Sequence, residues 1–332
     1  MHPEQPRLTR TATAAAAAVP AQTRGQSGQD SQKRRWTPDG PLSLGLTLGP
    51  LRRGPADPAF RVTPDGAIWR ASRTPAGPGT IRVAAASGGT VEAEAWGAGG
   101  DWLLDGLPAL LGAADDPAAF TARHRVVHEA NRRNPGLRLT RTRLVLESLI
   151  PAILEQKVTS DEAYRAWRLL LRRHGEPAPG PLADRMHVAP DPRTWALIPS
   201  WEWHRAGVDN KRASTAIRAV RHARRLEEAI SLPPADALAR LQLIPGIGPW
   251  TAAETLQRAT GDPDAVTVGD LHLPNIVGYA LTGAHRSTDA EMLDLLAPYA
   301  GQRHRAARLI LLAGRKPPRR APRMAPGNIA AL

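Results

Sequence analysis

The pattern of apolar and polar positions separates a β-rich region of the chain from a helical one. Between residues 42 and 96, short runs of β-prone residues alternate with Gly and Pro, which is typical of antiparallel strands. Residues 64–66 (PDG) and 87–89 (SGG) each separate two such runs and indicate hairpin turns. We therefore predict a small antiparallel sheet, with strands in the segments LSLGLTL, AFRVT, AIWRAS, TIRVAA and TVEAEAW.

After about residue 115, apolar positions recur every three to four residues, as on the buried face of a helix. Residues 141–157 (RTRLVLESLIPAILEQK) place Leu and Ile on one broad face, and Pro151 is expected to kink this helix. Residues 160–173 begin with a Ser-Asp-Glu capping signal. Further helices are predicted at residues 210–229, 234–243, 249–259, 271–281, 289–296 and 302–312.

Together the two patterns predict an α+β fold. We expect a disordered basic tail over residues 1–38, an antiparallel β-rich domain over 39–114, an all-α domain over 115–314, and a basic, Pro-rich tail over 315–332. The tails are expected to be disordered because they are polar, basic or Pro-rich and lack apolar periodicity.

Composition limits the chemistry and favours one class of partner. The 332 residues include no Cys, which excludes disulfides, thiolate nucleophiles, Cys-ligated zinc and iron–sulfur clusters. Lys and Arg number 44 against 31 Asp and Glu, a net charge of +13. This excess favours a polyanionic partner, although basic tails alone can produce such a balance. No apolar stretch approaches the ~20 residues of a transmembrane helix, so we expect a cytoplasmic protein without a membrane partner.

Residues 241–259 (LQLIPGIGPWTAAETLQRA) combine two predicted helices with a glycine-rich turn between them. Gly246 and Gly248 lack a Cβ, so the backbone can turn sharply and approach a phosphate closely. The amides of Gly248, Trp250 and Thr251 lie at the positive end of the second helix. A Gly-x-Gly pair alone is more often a helix C-cap and turn. Between two helices it indicates a helix-hairpin-helix motif, which binds the DNA backbone.

Asp270 follows Gly248 by 22 residues and directly precedes an apolar-periodic helix. Asp is a preferred N-cap residue, so a purely structural role would account for it. A carboxylate at a helix start beside a DNA-binding hairpin also faces the ligand that the hairpin holds. Both interpretations are compatible with the sequence.

The segment Ile244–Gly248 with its following Trp-Thr-Ala, and the later Gly-Asp-x-His, resemble the motifs of base-excision DNA glycosylases of the helix-hairpin-helix superfamily. The 3-methyladenine DNA glycosylase II branch is the most similar. Residues 153–167 (ILEQKVTSDEAYRAW) resemble that branch's helix pair around a DNA-probing Gln. The resemblance implies a β-rich domain followed by an all-α glycosylase domain. It also implies hydrolysis of the N-glycosidic bond of alkylated purines such as 3-methyladenine.

Carried over to this chain, the resemblance makes Asp270 the catalytic carboxylate, which would stabilise the oxocarbenium-like sugar or orient the attacking water. Trp250 occupies the position of the Schiff-base Lys of bifunctional members. Without an amine there no imine can form, so the resemblance implies a monofunctional enzyme without AP-lyase activity. Trp250 would instead stack on an electron-poor alkylated base, or simply pack.

Two residues depart from the branch and leave the excised base open. Glu254 lies in the expected base pocket, where the branch has an aromatic residue, and would either alter base preference or face solvent. Lys157 stands at the position of the apolar wedge, where its stem could fill space while its ammonium reaches a phosphate. His272 would contact phosphate or lie at the surface. The predicted DNA-binding residues are Gln156, Lys157, Gly246, Gly248, Trp250, Thr251 and His272.

The expected partner is double-stranded DNA that contains damaged bases, which would be flipped out of the stack for cleavage. We expect a monomer associated with the nucleoid. No metal site and no cofactor are expected, although hairpin carbonyls are candidate ligands of a monovalent cation. Two alternatives stay open: a glycosylase for another lesion, and a non-catalytic helix-hairpin-helix protein that binds damaged DNA. Asp270 at the family spacing argues against the second.

Overall fold

Residues 31–318 and Gly327 are described by the computed structural model. In this part of the chain, a five-stranded antiparallel sheet and fifteen α-helices give the expected α+β architecture. The predicted disorder of residues 1–30, 319–326 and 328–332 concerns positions outside the described residues. No helix in the described ranges combines the length and the apolar character that crossing a membrane requires.

The sheet has the strand order β1-β5-β4-β3-β2, with every neighbouring pair antiparallel. Ile81 and Val83 in the central strand are buried on one face, while Arg82 between them is partly exposed, which is the alternation of a half-buried strand. Four predicted segments form β2 to β5, and both predicted turns join consecutive strands. The strands are Gln32–Trp36 (β1), Phe60–Val62 (β2), Ile68–Thr74 (β3), Gly77–Ala85 (β4) and Val91–Trp96 (β5).

Strand β1 lies inside the segment predicted as a disordered tail, so that prediction is wrong for residues 32–36. The residues of this strand show no apolar alternation, and charge pairs hold it to β5. Lys33 lies opposite Glu94 with 3.7 Å between their charged atoms, and Arg35 forms an ion pair with Glu92 opposite it. Cross-strand pairs of this kind stabilise a sheet edge that the sequence pattern alone does not reveal.

The segment LSLGLTL, predicted as a strand, forms a helix, Leu44–Leu48 (α1). Ser43 caps it, since its hydroxyl accepts a hydrogen bond from the amide of Leu46. Leu48 is fully buried in the core beneath the sheet. Short apolar runs fit a buried strand or a buried helical turn equally well, and here the cap and the packing decide.

The remaining helices are Gly100–Asp105 (α2), Leu107–Leu110 (α3), Arg125–Arg133 (α4), Val145–Leu154 (α5), Ser160–His174 (α6), Pro192–Leu197 (α7), Ser200–Arg205 (α8), Asn210–Arg221 (α9), Ala223–Glu227 (α10), Pro234–Gln242 (α11), Pro249–Ala259 (α12), Leu273–Thr282 (α13), Asp289–Leu296 (α14) and Arg303–Leu312 (α15). Nine of them, α5, α6 and α9 to α15, fall in the predicted segments, whereas α2, α3, α4, α7 and α8 were not predicted, and α2 and α3 lie in the region predicted as β-rich. The predicted segment 210–229 forms two helices that meet at His222. The predicted segment 141–157 forms a shorter helix, Val145–Leu154, which continues through Pro151.

The region predicted as all-α also contains a small antiparallel pair, Glu176–Pro177 (β6) and His187–Val188 (β7). This pair lies against β3 of the large sheet, where Arg73 forms an ion pair with Glu176. Each strand has only two residues, which is too short for an apolar alternation, so the sequence pattern does not indicate them.

Four hydrophobic cores organise the described part of the chain. The sheet packs on α1, α2 and α3 in the first, helices α5 through α12 share the second, and α4, α13, α14 and α15 share the third. In the fourth, Trp69 and Trp96 of the sheet pack with Val188 of β7. A cavity opens between the two helical cores, lined by residues of α12 on one side and of α13 and α15 on the other. Clefts between packed units are frequent ligand sites.

Candidate active site

The turn between α11 and α12 contains two glycines that differ in backbone conformation and in the space around the Cα. Gly246 has φ 99°, and a Cβ there would clash with the hydroxyl of Thr215, so the fold itself requires glycine. Gly248 has φ −95°, which any residue adopts, and a Cβ there would meet nothing within 4 Å. The space in front of Gly248 is therefore open to an approaching ligand.

Helix α12 begins directly after this turn, with Pro249 at its first position. The first amides of a helix have no intrahelical partner, so those of Trp250 and Thr251 lack a hydrogen bond within α12. Thr251 as a whole is only 2% exposed and its hydroxyl already accepts a hydrogen bond from Gln156, so this residue offers little surface to an approaching ligand. Pro245 and Gly246 already accept hydrogen bonds on their carbonyls, which leaves fewer carbonyls for the monovalent cation considered above.

The loop between α5 and α6 lies against the turn. The side-chain Nε2 of Gln156 donates to the carbonyl of Gly246 at 2.9 Å and to the hydroxyl of Thr251 at 2.8 Å. Lys157, the next residue, is exposed and has the left-handed φ of 56°, a strained conformation for Lys. The predicted probing residues and the hairpin thus form one continuous surface.

Arg212 at the start of α9 supports this loop from the inside. Its guanidinium is buried and donates to the carbonyl of Leu154 at 2.8 Å and to Asp209. Arg side chains at the start of a helix are usually solvated, whereas the planar donors of Arg212 satisfy a helix C-terminus that would otherwise end without partners.

Asp270 links the two helices of the site. Its Oδ1 accepts hydrogen bonds from the amides of His272 and Leu273, both at 2.8 Å. Its Oδ2 accepts the indole Nε1–H of Trp250 at 2.9 Å. The N-cap position of α13 is His272, so Asp270 is not the N-cap residue itself, but its carboxylate satisfies the first amides of this helix and is also fixed against the helix that follows the hairpin. His272 itself is exposed beside it.

The cavity between the helical cores has a volume of about 350 Å³, within the usual range of small-molecule pockets. Trp250 does not line this cavity, and its indole N–H donates to Asp270, which does. Stacking of Trp250 on an extruded base stays a prediction. The polar residues of the wall are Thr140, Glu254, Gln257, Arg258, Thr267, Asp270, His272, His304 and Arg308.

Comparisons with solved structures reveal the fold. No protein-family model and no curated protein matches the sequence. The structure is similar to a 3-methyladenine DNA glycosylase from Archaeoglobus fulgidus, with a TM-score of 0.71 and 16% identity, covering 85% of this chain and 98% of that one. MBOgg1 in complex with a low-affinity DNA ligand gives a TM-score of 0.68 and 15% identity, with 85% and 95% covered. A Clostridium acetobutylicum 8-oxoguanine glycosylase/lyase in complex with DNA gives a TM-score of 0.65 and 12% identity, and the match covers 87% of this chain and 98% of that one.

The chain has the fold of the helix-hairpin-helix DNA glycosylases. The names of the first and third structures give different bases, 3-methyladenine and 8-oxoguanine, so the similarity does not single out the 3-methyladenine branch.

Within this glycosylase fold, Glu254 is only partly exposed, and its carboxylate is held in an ion pair. Its Oε2 accepts a hydrogen bond from Nη1 of Arg258 at 2.7 Å, one helical turn further along α12, and both side chains are about 15% exposed. Arg258 also donates to the carbonyl of Pro50 at 3.0 Å. A fixed ion pair thus occupies the place where the sequence resemblance leads one to expect an aromatic ring.

Sequence reasoning missed His304 and Arg308, which lie on α15. Burial lowers the pKa of His304 well below its usual value, and the charges of Arg308, Arg258 and Arg305 lower it further, so the imidazole is neutral near pH 7. Burial, together with Arg258 and Arg305, lowers the pKa of Arg308 to about 10, which leaves it protonated. A signal was present in the sequence, since these polar residues share one face of a predicted helix with apolar neighbours.

No group of three or more His, Asp or Glu within the described ranges is arranged to hold a metal ion.

Proposed function

We propose that the protein is a DNA glycosylase of base-excision repair that hydrolyses the N-glycosidic bond of a damaged base and has no lyase activity. The observation that carries this proposal is the position of Asp270, which is fixed by three hydrogen bonds at a cavity beside a glycine-rich hairpin. The shared fold and the net charge of +13 support it.

In this proposal, each part of the site has a physical task. The amides after Gly248 bind a phosphate, and Gln156 and Lys157 contact the strand next to the extruded nucleotide. The base enters the cavity, which places its sugar near Asp270. As the bond breaks, positive charge develops on the sugar, and the oriented carboxylate stabilises it. Trp250 offers no amine, so the reaction ends with an intact abasic site.

The shared fold does not identify the base that is excised. The sequence resemblance favours alkylated purines such as 3-methyladenine, and that stays a prediction. The second candidate, a glycosylase for a different lesion, is favoured by one observation: the Glu254–Arg258 ion pair lies in the cavity wall, where stacking on a cationic base would need an aromatic ring.

A base-release assay on duplexes that each contain one lesion tests the proposal, with 3-methyladenine and 8-oxoguanine among the lesions. Purified protein should release free base and leave abasic sites that break only after alkali. Asp270→Asn should abolish release and keep DNA binding, while Asp294→Asn, at an exposed position of α14, should change neither.

Two results would contradict the proposal. Unchanged release by the Asp270→Asn variant would exclude the assigned role of this carboxylate. Tight, salt-dependent DNA binding without release of any base would instead favour the non-catalytic damage-binding protein.

A further inference from the structure

The cavity wall carries two guanidinium groups, of Arg258 and Arg308, and two carboxylates, of Glu254 and Asp270. Glu254 pairs with Arg258 at 2.7 Å. In the described part of the chain, Asp270 and Arg308 form no ion pair: Asp270 is held by the indole of Trp250 and by main-chain amides, and Arg308 by a main-chain carbonyl. The wall therefore holds one unpaired anion and one unpaired cation.

Arg308 has no carboxylate within ion-pair distance. Its guanidinium donates to the main-chain carbonyl of Leu46 at 2.8 Å, and none of the ion pairs in the described part of the chain includes it. Burial and then repulsion by Arg258 and Arg305 lower its pKa, and the attraction of the more distant Asp115 and Glu254 offsets this only in part. An anionic group that enters the cavity would offset more of the cost of keeping Arg308 charged.

His304 lies one helical turn before Arg308 and is influenced by the same positive charges. Its ring is 7% exposed and lines the cavity, and no hydrogen bond to the imidazole occurs within the described part of the chain. The three nearby Arg side chains all act to keep it neutral. The cavity wall on α15 therefore presents a cation and a neutral imidazole, whereas Asp270 presents an anion from the start of α13.

This separation of charge matches one way of breaking an N-glycosidic bond. When the C1′–N bond breaks, its electron pair leaves with the base, and water adds its oxygen to C1′ while its proton ends on the base. A base that was uncharged departs as an anion, which a fixed cation stabilises. A base already made cationic by N-alkylation departs neutral, and a fixed cation next to it opposes its binding.

We propose that Arg308 stabilises the anion of the departing base, and that the substrates are uncharged damaged bases, such as oxidised purines, rather than cationic N-alkylated purines. This inference rests on the proposed glycosylase function, with Asp270 on the sugar side and Arg308 on the base side. Arg308 then determines which lesion class is excised.

The test compares single-turnover release from duplexes with one 8-oxoguanine, hypoxanthine or uracil, all uncharged, against a duplex with one cationic 7-methylguanine. The wild-type protein should release at least one uncharged base faster than 7-methylguanine. Arg308→Met should slow release of that base on the order of 100-fold, the usual effect of removing one charge-stabilising donor. Its release of 7-methylguanine should stay the same or increase.

Two further variants make the result specific. Arg308→Lys keeps the charge and should restore much of the release of the uncharged base. Arg315→Gln removes an exposed charge after the same helix and should affect all four duplexes equally. Arg308→Met is expected to fold, because it removes a poorly balanced buried charge and keeps the apolar stem, and its melting temperature checks this.

The possible failures are distinguishable. Faster release of 7-methylguanine than of every uncharged base, or equal slowing of both classes in Arg308→Met, overturns the inference and leaves the glycosylase proposal standing. Release of no base from any duplex, with DNA binding intact, contradicts the proposed function and the inference with it.

Discussion

Replacing Gly248 by alanine tests whether the hairpin approaches a phosphate, because the fold does not need glycine at this position. The backbone angles, φ −95° and ψ −178°, suit alanine, and the added methyl group meets no protein atom within 4 Å. Reduced freedom of the unfolded chain should stabilise the variant by about 0.4–1 kcal/mol. Alanine is a poorer N-cap than glycine by roughly 0.5–1 kcal/mol. The two effects nearly cancel, so the free energy of unfolding should change by less than about 1 kcal/mol.

DNA binding should respond much more strongly. A methyl group in front of Gly248 would hold the phosphate away from the amides that open α12. Hydrogen bonds to a charged group contribute about 1.5–3 kcal/mol each, so losing one should raise the Kd for duplex DNA on the order of 10- to 100-fold.

Gly246→Ala is the matched control, since it places the same methyl group two residues earlier. There the backbone has φ 99° and the methyl group clashes with Thr215. A strained backbone costs about 1–3 kcal/mol and overpacking about as much again, so this variant should lose roughly 2–6 kcal/mol of stability.

Denaturant unfolding gives the two stabilities, and fluorescence anisotropy at one fixed salt concentration gives the two Kd values, since DNA affinity depends steeply on salt. A Gly248→Ala variant that binds DNA like the wild type would refute the assigned phosphate contact. A decrease of more than about 2 kcal/mol in the free energy of unfolding of the same variant would contradict the nearly unchanged stability expected for it.

Three further substitutions test other parts of the site. Trp250→Phe removes the indole N–H that holds Asp270, so base release should slow on the order of 10- to 100-fold while the Kd for DNA changes little; equal losses in rate and affinity would argue against this positioning role. Lys157→Gly relieves the left-handed strain and should leave stability unchanged or raise it by about 1 kcal/mol, whereas base release should fall; a clear loss of stability in urea would contradict this. His304 has a folded-state pKa below its unfolded value, so the unfolded chain binds the extra proton as the pH falls below about 6.5; stability is then lost with a slope of up to about 1.4 kcal/mol per pH unit. His304→Gln should flatten this slope between pH 5 and 7 in denaturant titrations, and an unchanged slope would mean that other groups cause it.

Most helices of this protein could be predicted because their information is local. Pro249–Ala259 and Asp289–Leu296 have the bounds that the sequence predicts, since each begins at a strong start signal and continues with regular apolar spacing. The failures lie where tertiary contacts outweigh the local pattern. The charged β1 pairs with β5 through its ionic side chains, and an apolar run beneath the sheet becomes α1 because Ser43 caps it.

The sequence by itself determined the hairpin, the carboxylate of Asp270 just before α13 and the absence of an amine at position 250, because each depends on residues close together in the chain. Only the tertiary structure decided how these pieces act together. Gln156 reaches the hairpin across 90 positions, and Arg308 is held by a carbonyl 262 positions away. The charge of the cavity depends on such contacts, since a guanidinium is balanced by whichever carboxylate the packing brings near it, and no local pattern specifies that neighbour.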